Sequence, residues 1–342
     1  VSDAPHPPSP SSQVPGKPHV HILVLGGTIT MQRGADGGIV PSLDGRALVD
    51  AFPGLDESAT IGVSTPFLVP GASLTLSQLR GVAETIDTIL RDGADGVVVV
   101  QGTDTIEETA FTLDLLHAGS EPIVVTGAMR GADHLGADGG ANLSASIRVA
   151  GSPGARDLGA LVVLNDEIHA AAFVRKTHTA LPSAFASPGS GPLGSVADGR
   201  VRLRLTPSPG RPYRIDPAVA PAPVAIVKAM LDDDARIVAA CRTLAYRAIV
   251  VEAMGAGHVP RSFVEPLREA AETMPVVLAT RVGAGPVFTS TYGFPGSEID
   301  LVARGLVPAG FLSPEKARLL LAFLVGRGAD RAEIAAAFAA FS

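Results

Sequence analysis

The chain has 342 residues, 46% of them hydrophobic and 18% charged, and a formal net charge of -7. That length exceeds what one compact core usually holds, so two domains are the default, and the acidic balance argues against nucleic acid as the main partner. A single cysteine, Cys241, excludes an intrachain disulfide and fits a thiol-keeping cytoplasm, while no apolar run is long enough to cross a membrane.

Residues 1–18 are rich in Pro and Ser, lack the basic-then-apolar pattern of a secretory signal, and read as a disordered leader. The fold begins with an apolar run at 19–25 that ends in Gly26, Gly27 and Thr28. Similar runs at 96–100, 122–126 and 159–164 lead into QGTD at 101–104, GAM at 127–129 and ND at 165–166. Continuous apolar runs mark parallel strands covered on both faces. Helices are expected between them at 76–90, 105–116 and 141–149, the second opened by a capping box of Thr105 and Glu108. Alternating strand and helix gives an α/β fold, a doubly wound and mostly parallel sheet, over a large N-terminal catalytic domain at 19–205. Arg200, Arg202 and Arg204 alternate, so they share one face of a strand, read as a solvated edge. A Pro-rich stretch at 206–223 reads as a linker. The pattern restarts at 224–342, with strands at 224–227, 248–251 and 275–279 and helices at 233–246, 262–273 and 314–325. This is a smaller, flavodoxin-like α/β domain.

In such sheets, ligands bind beyond the carboxyl ends of the strands. The polar Gly-Thr tips of the first three strands lie there. Gly26 and Gly27 allow a sharp turn and a close approach, with Thr28 presented next; read alone, the same string is also a plain turn with a helix-capping Thr. Gly102 relaxes the backbone ahead of Thr103 and Asp104, which can orient a substrate amine, a water and a basic group together. Asp104, Thr105 and Glu108 also suit an ordinary helix start. Lys176 is one of four lysines against 23 arginines. Where Arg is the habitual cation, a mid-chain Lys points to a titratable amine, because Arg cannot serve as a base; read alone, it is equally an ordinary surface Lys. The eight histidines show no metal-ligand spacing; His169 and His178 read as surface or loop residues, and no cofactor or metal is called for.

Taken together, these segments resemble the bacterial L-asparaginase/glutaminase family, the threonine-nucleophile type on a two-domain α/β fold. The matching strings are GGTI at 26–29, QGTDTIEET at 101–109, TGAMR at 126–130, GADG at 136–139 with Asn142 and Leu143, RKT at 175–177, GPLG at 191–194 and LSPEKARLL at 312–320. The resemblance implies an amidohydrolase that converts L-asparagine to L-aspartate and ammonia through a threonine acyl-enzyme. Thr28 would be the nucleophile, and Thr103, Asp104 and Lys176 the second catalytic cluster. Gly27, Gly71, Ala72, Ser73, Gly102, Ala128 and Met129 would bind substrate, with main-chain N–H groups near Thr103 facing the developing oxyanion. It further implies a homo-oligomer, a dimer or tetramer, in which a neighbour completes each site from around 255–258 or 292–298.

Three departures from the family pattern stand out. Gly38 stands where the mobile loop normally carries a Tyr that assists the nucleophile. Gly71 and Ala72 stand where a Ser and a polar neighbour normally grip the substrate carboxylate. His258 stands in place of an Asn. Two other functions fit the same scaffold: the amide-hydrolysing component of a tRNA-dependent amidotransferase, and a non-catalytic amino-acid sensor.

Overall fold

A computed structural model describes residues 16–27, 29, 31–33, 39–41, 44–206 and 213–342. In chain order the first domain contains β1 (His19–Val24), β2 (Met31–Arg33), β3 (Ile39–Pro41), α1 (Gly45–Asp50), β4 (Thr60–Ser64), α2 (Leu76–Arg91), β5 (Gly96–Val100), α3 (Ile106–Leu116), β6 (Ile123–Thr126), α4 (Gly139–Ala150), β7 (Ala160–Leu164), β8 (Glu167–Ala170), β9 (Arg175–Lys176), β10 (Phe185–Ala186), β11 (Gly194–Ala197) and β12 (Arg200–Leu203). The second contains β13 (Val224–Lys228), α5 (Arg236–Thr243), β14 (Ala248–Ala253), α6 (Val264–Thr273), β15 (Val276–Thr280), α7 (Glu298–Ala303), β16 (Val307–Pro308), α8 (Pro314–Gly326) and α9 (Arg331–Ala339).

The main sheet has eight strands in the order β12-β11-β8-β7-β6-β5-β1-β4. The pairs from β4 to β7 are parallel and those from β7 to β12 antiparallel. Its centre explains the unbroken apolar runs. Val97 and Val99 of β5 join one core and Val98 and Val100 the other, all fully buried. A strand sandwiched between two helical layers has no wet face, so alternation disappears. Each such valine contributes about 1.5–3 kcal/mol of apolar burial. The second sheet, β13-β14-β15-β16, is parallel throughout. Val250 and Val277 pack into the core that also holds α3 and α8, so the two sheets share one apolar layer.

Several sequence expectations change. The leader lies outside the described residues up to position 15. Lys17 and Pro18 are tied down, Lys17 Nζ donating to the Asp56 carbonyl and the Pro18 carbonyl accepting from Thr60. Much of the Pro-rich stretch is anchored too. Ile215 N–H donates to Leu115, Arg80 donates to the carbonyls of Pro217 and Ala218, and Ala222 N–H donates to Ala322. Proline removes donors but leaves carbonyls, and here the Pro217 and Ala218 carbonyls act with the N–H groups of Ile215 and Ala222 to hold the crossing in place. The arginine strand does form an edge: Arg200 and Arg202 are exposed on β12, the last strand of the sheet.

Candidate active site

The floor of the site is main chain. Gly26 and Gly27 adopt φ values of 122° and 98°. A Cβ on Gly27 would fall 2.2 Å from the Gly102 nitrogen and 2.4 Å from the Gln101 carbonyl carbon. A Cβ on Gly71 would fall 2.7 Å from the Gly102 oxygen. The tips of β1 and β5 and the turn Gly71–Ser73 therefore meet backbone to backbone, which only glycine permits. Gly71 is buried in this contact, whereas Ala72 and Ser73 are exposed beside it.

Thr103 and Asp104 follow in a single 3-10 turn, Thr103–Thr105, that leads into α3. The capping box expected from Thr105 and Glu108 does not form. Thr105 instead donates its hydroxyl to the Gly71 carbonyl at 2.9 Å and accepts from Gln101 Nε2 at 3.1 Å. A distant acceptor has captured the side chain, and the turn at 71–73 is fastened to the one at 103–105 as a result.

Lys176 arrives from β9, a two-residue strand paired with β10. Its ammonium donates to Thr103 Oγ1 at 2.8 Å and to Asp104 Oδ1 at 3.1 Å. Thr103 is buried, the Lys176 side chain is 17% exposed and that of Asp104 is 67% exposed. The amine and the hydroxyl thus lie mostly out of water, while the carboxylate reaches the open side. A short, partly desolvated contact of this kind lets an amine take a proton from a hydroxyl or from a water beside it.

The third tip carries Ala128, buried, and Met129. Asp138 holds it: the carboxylate accepts from the N–H groups of Met129 (3.1 Å) and Arg130 (2.9 Å) and from Asn142 Nδ2 (3.1 Å). Asn142 also donates to the Gly127 carbonyl at 3.0 Å. A Cβ on Gly127 would lie 2.5 Å from the Gln101 oxygen, so this tip also abuts β5. Thr28 and Gly38 lie outside the described residues. The neighbours of Thr28 are placed: Gly27 against Gly102, and Ile29 buried against α4 at Gly139, where a Cβ would meet Ile29 Cγ1 at 2.7 Å and Ala128 Cβ at 3.4 Å.

Of the sequence candidates, Gly27, Gly71, Gly102, Thr103, Asp104 and Lys176 come together directly, with Ala128 and Met129 on the adjoining tip. On the second domain, the two stretches expected to serve a neighbouring protomer meet each other. His258 Nε2 lies 3.2 Å from Glu298 Oε2, and the His258 ring makes edge contacts with Tyr292 and Phe294. One expectation fails: His169 is fully buried on β8, not on the surface, with Nδ1 3.0 Å from Ser187 Oγ. His178 is exposed, as expected. Sequence reasoning assigns no role to Asp138, Asn142, Glu107 or Lys316. The scarcity of lysine that singles out Lys176 applies equally to Lys316. Among the described residues, no group of three or more His, Cys, Asp or Glu is arranged to hold a metal ion, and no helix is long and apolar enough to cross a membrane.

A two-domain α/β frame thus brings Thr103, Lys176 and Asp104 together at the strand tips. Residues 19–209 match the family described as Asparaginase, N-terminal, and residues 223–338 the Glutaminase/Asparaginase C-terminal domain. The chain is 36% identical to a probable L-asparaginase of Deinococcus radiodurans, over 94% of this chain and 97% of that protein. It is 32% identical to an L-asparaginase of Bacillus licheniformis, over 90% and 95%. It is also 28% identical to one component of the glutamyl-tRNA(Gln) amidotransferase of Methanobrevibacter smithii, over 94% of this chain and 75% of that protein. The chain belongs to the asparaginase family and is an amidohydrolase.

Proposed function

We propose that this enzyme hydrolyses L-asparagine to L-aspartate and ammonia. The observation that carries the reading is the Lys176 ammonium held on Thr103 Oγ1 at 2.8 Å, beside the glycine floor from which Thr28 continues. A threonine oxygen, Thr28 by our assignment, attacks the side-chain amide carbon. The C–N bond breaks, and the departing nitrogen takes the proton the threonine hydroxyl gave up and leaves as ammonia. A water then attacks the ester, one of its protons passes by way of the Lys176 amine in its neutral form to the threonine oxygen, and aspartate leaves as the threonine is restored. Asp104, on the open side, pairs with the substrate ammonium. The turn at 71–73 grips its carboxylate through the Ala72 N–H and the Ser73 hydroxyl, and main-chain N–H groups near Thr103, with Ala128 opposite, face the oxyanion.

The test is steady-state ammonia release from L-asparagine, D-asparagine and L-glutamine, with Thr28→Ala as control. L-asparagine is expected to be the best substrate and the control inactive; equal release by Thr28→Ala would remove Thr28 from the role. The likeness to the M. smithii amidotransferase component supports a second reading, amide hydrolysis in the service of a tRNA-charging complex. The net charge of -7 opposes it, and a tRNA filter-binding assay separates the two. We assign a homo-oligomer on the exposed aromatic side chains Phe288, Tyr292, Phe294 and Phe311 of the second domain, to be read by light scattering. The buried thiol of Cys241 supports a cytoplasmic location, testable by cell fractionation.

A further inference from the structure

Among the described residues Lys316 is the largest fully buried charged side chain, on the first turn of α8 and far from Lys176 and Thr103 in sequence. Its ammonium donates to the carbonyls of Ala172 (3.2 Å) and Val174 (2.5 Å). Those carbonyls belong to the segment that delivers Lys176. Two residues on, Glu107 Oε1 accepts the main-chain N–H of Lys176 at 3.3 Å. Glu107 lies on the first turn of α3, immediately after the turn that carries Thr103 and Asp104.

The segment needs such fastening. Ala170–Phe173 and Arg175 form one wall of a cavity of about 400 Å³ between the two domains, lined also by Val282–Gly285, Lys316 and Phe341. With empty space on one side, packing alone cannot fix the approach of β9, and β9 pairs over only two residues. A fully buried ammonium is costly to keep, and burial lowers it to about 8 against the pull of Glu107. Burial likewise pushes the Glu107 carboxyl above the usual carboxylate range, with Lys316 pulling it back only in part. Two buried ionisable groups, one from each domain, thus converge on the main chain of the same five residues.

We propose that Lys316 and Glu107 are positioning residues: together they clamp residues 172–176 so that the Lys176 amine is held on Thr103. The assignment rests on the reading of Lys176 as the catalytic base. It makes the second domain a working part of the first domain's chemistry, since α8 reaches across to set the amine.

The full chain carrying Lys316→Met tests this, with Glu107→Ala as the second variant should the first fail to fold. Two quantities are read. The first is kcat and KM for L-asparagine. The second is the rate at which trace acetic anhydride acetylates Lys176, measured by peptide mass against exposed Lys228 in the same sample. The expected result is a roughly 10- to 100-fold loss of kcat with KM changed less than about threefold, the size of effect a displaced catalytic group produces. Acetylation of Lys176 should rise at least about threefold as its amine leaves Thr103 and becomes accessible. A folded variant with kcat and Lys176 acetylation both unchanged would overturn the proposal. If the unaltered enzyme releases ammonia from none of the amides, the proposed function fails, and the acetylation ratio alone still decides the clamp.

Discussion

Replacing Thr103 with valine removes one oxygen and keeps the volume and branching of the side chain. Thr103 is buried, and its hydroxyl is the 2.8 Å partner of the Lys176 amine. The amine is not orphaned by the change, because Asp104 Oδ1 remains at 3.1 Å and is itself solvated. The stability cost should therefore be that of one ordinary hydrogen bond, about 1 kcal/mol. Catalysis should suffer far more. Loss of a positioned proton-transfer partner typically lowers rates by about 10² to 10⁴, or about 3–5 kcal/mol of transition-state stabilisation. Ammonia release gives kcat and KM, and urea unfolding gives the stability difference on the same preparation. The two figures should separate by at least about 2 kcal/mol. A folded Thr103→Val enzyme with kcat/KM within about threefold of the parent would show that the hydroxyl only fills space, and the catalytic argument for the cluster would fall.

Gly27→Ala combines a left-handed backbone with a Cβ 2.2 Å from a main-chain nitrogen, so urea melts should show a loss of about 2–5 kcal/mol together with lost activity. Asp138→Asn turns one acceptor of three N–H donors into a donor. It should cost about 1–3 kcal/mol and lower kcat by loosening the tip at 128–130, as read by the same melts and by ammonia release. His169 is held neutral by burial, with Lys316 adding to the effect, and its pKa falls to about 4. The unfolded chain, titrating near 6.5, binds more protons between those values. Stability from this group is therefore complete above about pH 6.5 and is lost as pH falls towards 4. His169→Gln should flatten the acid limb of the urea-derived stability curve by up to about 3 kcal/mol; an unchanged slope between pH 4.5 and 7.5 would count against the assignment.

What can be read from the amino acids alone follows from where each constraint acts. The strands at 96–100 and 160–164 are legible because both faces are buried, so local composition carries the whole signal. Gly26 and Gly27 announce a tight turn, although nothing local says that Gly102 lies against it. The capping-box pattern misleads because Thr105 Oγ1 spends its proton on Gly71, 34 residues away. His169 reads as a surface residue because β8 is a short antiparallel strand whose burial is decided by β7 and β11. The meeting of Lys176 with Thr103 spans 73 positions and hangs on a two-residue strand, so only the family likeness points to it. Lys316 looks like an ordinary polar position in the first turn of an apolar helix, and its two carbonyl acceptors lie in the other domain.

The contact of Gly27, Gly102 and Gly71 limits how substrate preference can be altered. On this backbone a Cβ at any of the three would press on main chain, so a mutant library cannot retune the pocket through them without shifting the turn. Variation is left to the rim, at Ala72, Ser73 and Met129, where side chains face open space or hang from a tethered tip. A saturation library aimed at accepting a longer amide would do best to spare the glycines and spend its diversity there.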